Sequence, residues 1–392
     1  MWQKGCRNWV ATMDSRVAIW GVGMLFFSLM VVGESGGVGG GGGSSKRGKC
    51  EFPAIFNFGD SNSDTGAGSA AFGEIDEPNG MNFHLRKRSS DGRLIIDFFA
   101  EKLGLPYLDA PLDTIGTSFK HGANFAVGGS KISPIVLVGS MIPLHLGAQV
   151  SEFLQFKSRT IALSHHHPSN TTNNPRFESN YPEPEVFSKA LYTIDIGHND
   201  ISYIFYNSSV PTVVNDLSNS VQRLLESGAK NFWIHNTGPH GCLPGSINGC
   251  KMFFKEKCEL DENGCVKRNN KQAVEFNKLL KEAVYKLRAK YPHAAITYVD
   301  VHSSKNYLVF NAKKLGFTDP FSFCCGTPKI YCGTRNETDN KLLGTACSNP
   351  SKYIVWDGVH YTQAGNRFVA NLIMNGSFSD PPLPLSEACH KA

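Results

Sequence analysis

A chain of 392 residues with 41% hydrophobic and 19% charged side chains can bury a sizeable core, which excludes a disordered or fibrous protein and fits one large α/β domain or two average ones. The formal charge of +5 is spread along the chain. The basic runs Lys46-Arg47, Arg86-Lys87-Arg88 and Lys313-Lys314 are short and read as solvated faces, so no nucleic-acid partner is expected.

Lys4, Arg7 and Arg16 precede an apolar stretch at 17–33, and the small residues Gly33, Ser35 and Gly36 follow. That is the layout of a secretory signal. Residues 1–33 are therefore expected to be cleaved, leaving a secreted protein of the apoplast or cell wall with no stable membrane insertion. A retained single anchor is the alternative. The stretch is short for a span and is interrupted by Gly21 and Gly23. Residues 34–49 read as a glycine-rich linker, 50–378 as the folded domain and 379–392 as a tail.

Five apolar, β-branched or aromatic runs follow at 54–58, 123–127, 191–196, 232–235 and 296–301. Between them, Val214, Leu217, Val221, Leu224 and Leu225 repeat at helical spacing until Gly228. Phe276, Leu279, Leu280, Ala283, Val284 and Leu287 do the same until Pro292. Strands alternating with helices predict a parallel sheet covered on both faces, a three-layer α/β domain. Residues 158–185, rich in His, Ser, Asn and Pro, read as a loop. Three adjacent histidines there (His165, His166, His167) cannot all face one ion, so no metal is expected. Residues 316–356 read as a cysteine-rich, stapled loop.

Of 11 cysteines, Cys6 lies in the signal segment, which leaves an even ten. With no C-x-x-C pair, disulfides formed in an oxidising compartment are the expectation, with the pairing open. Sequons at Asn170, Asn207, Asn336 and Asn375 fit a glycosylated export product.

Four segments carry chemistry. Gly59-Asp60-Ser61-Asn62 ends the first strand, where open α/β sheets place their crevices. Ser61 is the candidate nucleophile. The G-x-S-x-G match at 33–37 follows no strand and is set aside. Asn124-Phe125-Ala126-Val127-Gly128-Gly129 runs a strand into two glycines, whose backbone suits an oxyanion donor. Gly197-His198-Asn199-Asp200 offers the Asn199 amide as another. In Asp357-Gly358-Val359-His360 the acid and the imidazole, three residues apart, can hydrogen-bond, orienting His360 as a base. His235, His240 and His302 are rival bases without an acid at such spacing.

Taken in order, these segments resemble the GDSL/SGNH esterase family of plants. Gly238-Pro239-His240-Gly241-Cys242-Leu243-Pro244 and Cys324-Cys325-Gly326 add to the match. Ile234-His235-Asn236-Thr237-Gly238-Pro239 and Trp356-Asp357-Gly358-Val359-His360-Tyr361-Thr362 look like its early-nodulin-type branch. The resemblance implies a flavodoxin-like α/β/α sandwich with a five-stranded parallel sheet, no metal and no organic cofactor. It implies Ser61, His360 and Asp357 as catalytic residues, with Gly128, Asn199 and the Ser61 N–H as the oxyanion hole. Small-molecule or glycan esters would be the substrates. Two positions depart from the pattern. Asn62 stands where Leu gives the motif its name, and 83–88 replaces a Pro/Thr/Gly/Arg-rich turn before Ser90-Asp91-Gly92-Arg93, a change that bears on substrate preference if that loop lines the mouth of the site. The competing readings are an idle hydrolase-like domain that binds glycans or a partner, and a glycosidase, which usually needs two carboxylates about the bond.

Overall fold

The computed structural model describes residues 48–391 except 84–86, 114, 135–141, 167–179 and 204–208. The signal segment, nearly all of the linker, His167, Asn170 and Asn207 lie outside the described residues. Of the other sequons, Asn375 is exposed and Asn336 half-buried.

The sheet is built from β1 (Ile55–Gly59), β2 (Gly122–Asn124), β3 (Leu191–Asp195), β4 (Asn231–His235) and β5 (Ala295–Val299), all parallel, in the order β2-β1-β3-β4-β5. This is the flavodoxin-like order, whose switch point lies between β1 and β3. Ile55 is in register with Gly122 on one side and Leu191 on the other. All but one of the residues in these strands are buried, as expected of parallel strands covered on both faces.

One face is covered by α3 (Leu146–His166), α6 (Val210–Glu226) and α8 (Lys267–Lys290). Phe56 and Tyr192 from the sheet pack there against Phe153, with ring centroids 5.1 and 5.6 Å away. The other face carries α2 (Ile95–Leu103), α9 (Val301–Phe310) and α10 (Gln363–Met374), which bury Phe99, Trp233 and Ile373. The helices read from Val214–Leu225 and Phe276–Leu287 spacing are α6 and α8.

The structure departs from the sequence reading in four places. α3 continues to His166, so the first part of the expected loop at 158–185 is helical; Thr160 is buried and Ile161 packs on the core, which outweighs the polar composition. The short α4 (Val186–Lys189) follows that loop. β2 stops at Asn124 instead of reaching Val127, because Asn124 Oδ1 takes the Ala126 N–H and turns the chain. A sixth strand, β6 (Ser379–Asp380), pairs antiparallel with β5. It lies in the segment read as a tail, where Leu385 and Ala388 are also fully buried. Finally, Arg88 is no solvated charge. It is 1% exposed, because Asp97 accepts from its Nε and Nη2, Thr65 O accepts from Nη1, and Phe83 covers it.

The expected disulfides are present: Cys50–Cys389, Cys242–Cys265, Cys250–Cys258, Cys324–Cys347 and Cys325–Cys332. The last two staple the turn-rich segment 316–356.

Candidate active site

β1 delivers Ser61 to the carboxyl edge of the sheet, and the residues around it fix the delivery. Gly59 lies so close to β3 that a Cβ there would meet Asp195 O at 2.5 Å, so only glycine fits. Gln149 of α3 clamps the Gly59 peptide from both sides: its Oε1 accepts the N–H at 3.0 Å and its Nε2 donates to the carbonyl at 2.8 Å. A buried polar ladder crosses the strands below. Thr193 donates to Asn57, Asn57 donates to Asn124, and Asn124 donates to Ser63 O and Thr65 Oγ1. Asp64 then accepts the N–H groups of Gly66, Ala67 and Gly68, which open α1 (Ala67–Phe72).

Ser61, His360 and Asp357 come together although 299 residues separate the serine from the histidine. His360 Nε2 lies 2.7 Å from Ser61 Oγ, and His360 Nδ1 lies 2.7 Å from Asp357 Oδ2. With the proton on Nδ1, the ring donates to Asp357 and its other nitrogen accepts the serine hydroxyl proton. Asp357 Oδ1 also takes the backbone N–H of Val359 and His360, which closes the turn. Burial alone would lift the Asp357 carboxyl, but the His360 charge and these hydrogen bonds hold it below the usual carboxylate value. For His360 burial works downward, and the facing Asp357 outweighs it, so the imidazole is raised.

The two expected oxyanion donors sit at the same edge with their groups engaged. The Gly128 N–H donates to Asp64 Oδ2 at 2.7 Å, and a Cβ on Gly128 would stand 3.8 Å from Ser61 Cβ. Asn199, second residue of α5 (His198–Tyr203), donates one amide N–H to Ser130 O at 2.9 Å. Among the described residues no acceptor meets the Ser61 N–H.

Three groups take roles that the sequence reading did not give them. Ser90 Oγ donates to Tyr361 O, and Asp91 accepts the Gln363 N–H, so the Ser-Asp-Gly-Arg turn holds the histidine loop. Trp356, fully buried, anchors the same loop by donating to Asn79. Next in sequence to the trio, Asp60, Asn62, Val359 and Tyr361 line a cavity of about 20 Å³ together with Asp195, His198, His240 and Lys305 among others. Asp60 Oδ1 takes the backbone N–H and a side-chain amide N–H of Asn62, while Oδ2 is buried with no partner among the described residues. Burial, then the Asp195 charge, push the Asp60 carboxyl up to about 7. The rival base His235 is buried 3.4 Å from Asp195. His240 is lowered to about 4 by burial. His302 packs beside Asn306. None of these three reaches the serine hydroxyl; that partner is His360.

A 2-1-3-4-5 parallel sheet covered by helices on both faces, with a hydrogen-bonded serine, histidine and aspartate at its carboxyl edge, is the α/β/α sandwich of the SGNH type of hydrolase. The profile of the GDSL-like lipase/acylhydrolase family matches residues 55–373. The chain is 46% identical over 360 residues to a GDSL esterase/lipase of Arabidopsis thaliana, covering 87% of this chain and 90% of that one. It is 40% identical over 361 residues to the GDSL esterase/lipase ENOD8 of Medicago truncatula (87% and 91% covered). A third relative, 40% identical over 365 residues (88% and 93% covered), bears the name alpha-L-fucosidase 3 in Arabidopsis thaliana. The chain belongs to the GDSL-like lipase/acylhydrolase family, with an early-nodulin-type member among its relatives, and the protein is a carboxylic ester hydrolase acting on small-molecule esters.

Proposed function

We propose that the protein is exported and hydrolyses esters of short acyl groups, acetyl included, through an acyl-enzyme on Ser61. The observation that carries this reading is the unbroken hydrogen-bond series from Ser61 Oγ through His360 to Asp357. His360 takes the serine proton as Oγ attacks the ester carbonyl. Negative charge then develops on the carbonyl oxygen, and the Ser61 N–H, the Asn199 amide and the Gly128 N–H receive it. Gly128 contributes least, because its N–H already rests on Asp64. His360 protonates the leaving alcohol and then activates water for deacylation.

Five disulfides support an oxidising destination, and of the two described sequons the exposed Asn375 is better placed for a glycan than the half-buried Asn336. The relative named as a fucosidase motivates a second reading, glycoside cleavage, with Asp60 as an added carboxyl near the trio.

The test uses the secreted protein, its Ser61→Ala variant, nitrophenyl esters of increasing acyl length and a nitrophenyl fucoside. Hydrolysis and fluorophosphonate labelling are expected in the parent alone, strongest on the short esters. Labelling of Ser35 or Ser63 in the variant, with activity kept, would falsify the assignment. Turnover of the fucoside without ester cleavage would favour the second reading.

A further inference from the structure

Helix α7 (Pro244–Phe254) starts at the site and ends in solvent. In its first turn the Gly245 N–H donates to Gly358 O at 2.8 Å, inside the loop that holds Asp357 and His360. Ile247 and Cys250 fix its inner side. One helix length away, roughly 16 Å, every residue of 251–257 is exposed, and the run reads Lys-Met-Phe-Phe-Lys-Glu-Lys. Met252 is 44% exposed, Phe253 77% and Phe254 50%.

This tip is not a frayed end. The Cys250–Cys258 disulfide closes its base. Lys255 takes a left-handed φ of 44°, uncommon for a residue with a side chain, and breaks the helix there. The chain thus holds three large apolar side chains in water at a fixed place. Isolated exposed apolar residues need no explanation, whereas a contiguous group marks a contact surface.

Geometry and charge limit what the surface meets. Successive helical residues are turned by about 100°, so the trio fans over about 200° of the helix circumference. A rigid partner face meets one side of such a fan, while a fluid apolar layer solvates all of it. Three lysines against one glutamate flank the trio, and long lysine stems let the ammonium groups stay in water while the neighbouring rings go under.

We propose that the α7 tip inserts into the surface of an anionic lipid layer, with Phe253, Phe254 and Met252 among the acyl chains and Lys251, Lys255 and Lys257 at the headgroups. Docking there brings the Ser61 site to esters carried at the interface. That consequence rests on the proposed esterase function; the docking itself does not.

Sedimentation of the secreted protein with vesicles tests the docking. Vesicles of mixed phosphatidylglycerol and phosphatidylcholine are expected to bind it, and phosphatidylcholine alone to bind it weakly. The double change Phe253→Ser with Phe254→Ser should lower partitioning about tenfold or more. Lys251→Glu with Lys255→Glu should lower it on anionic vesicles only, an arm that leaves the apolar residues untouched. Both variants should cleave a soluble acetyl ester as the parent does, since neither pair touches the site. No vesicle binding by the parent, or binding unchanged by the phenylalanine pair, overturns the proposal. Stronger binding to pectin, equally sensitive to the phenylalanines, would assign the tip to a polysaccharide and overturn it too. Ser61→Ala should leave vesicle binding intact, so a failure of the esterase reading is told apart from a failure of this one.

Discussion

Asn199 is placed by α5 with one amide N–H on Ser130 O, and the proposed mechanism gives its second N–H to the oxyanion. Asn199→Ala is expected to lower kcat by about 10²–10³ with little change in KM, because the amide meets charge that exists only in the transition state. A raised KM with kcat intact would make Asn199 a turn or ground-state binding residue. The pH dependence follows from His360. In the proposed mechanism His360 must be neutral to take the serine proton, and Asp357 raises its pKa against the effect of burial. The acid limb of kcat/KM for a neutral ester should therefore lie above the ordinary imidazole value of about 6.5, with activity rising as pH rises through it. A limb below that value would contradict the pairing. The meeting of Ser61, His360 and Asp357 was legible in the sequence because the aspartate and the histidine share one turn and the serine follows a strand directly. The Asp60–Asp195–Lys305 cluster was not, because it joins side chains from three distant segments and no local spacing records it.

At the scale of elements, the loop after Ser61 is tied to α2 by one buried ion pair. Asp97 accepts from Arg88 and also takes the Leu94 N–H, so one carboxylate closes the helix start and holds the arginine. Arg88 in turn donates to Thr65 O. Arg88→Met leaves that carboxylate buried and unpaired, and a loss on the order of 3–5 kcal/mol is expected in urea unfolding. A loss within the range of a surface change, about 0.5 kcal/mol, would mean that water reaches Asp97. The four five-residue strands were visible as apolar runs, and α6 and α8 because their apolar residues repeat at helical spacing over several turns; the three-residue β2 was read too far along the chain. β6 was not, since two residues have no period; its pairing with β5 is a matter of tertiary approach. Arg88 misled for a related reason: a basic triplet looks solvated until the distant partner Asp97 is placed beside it.

Across the whole molecule, Cys50–Cys389 joins positions 339 residues apart. Cys50 N–H also donates to Ser386 O, so the ends of the domain meet beside buried Leu385 and Ala388. Replacing Cys389 by Ser, with Cys50→Ser to avoid a stray thiol, should lower stability by about 2–5 kcal/mol, read as a fall in Tm of the secreted protein. In the parent, once residues 1–33 are removed, a thiol titration in denaturant should find no reactive cysteine. One reactive thiol would mean that Cys6 is still attached. The staple also turns the domain into a covalent ring. A protease that cuts once anywhere between Glu51 and Ala388 opens the ring without releasing a piece. Such nicked protein would migrate near full size on a gel run without reductant and as two fragments once reduced, so intact mass under oxidising conditions is no proof of an uncut chain.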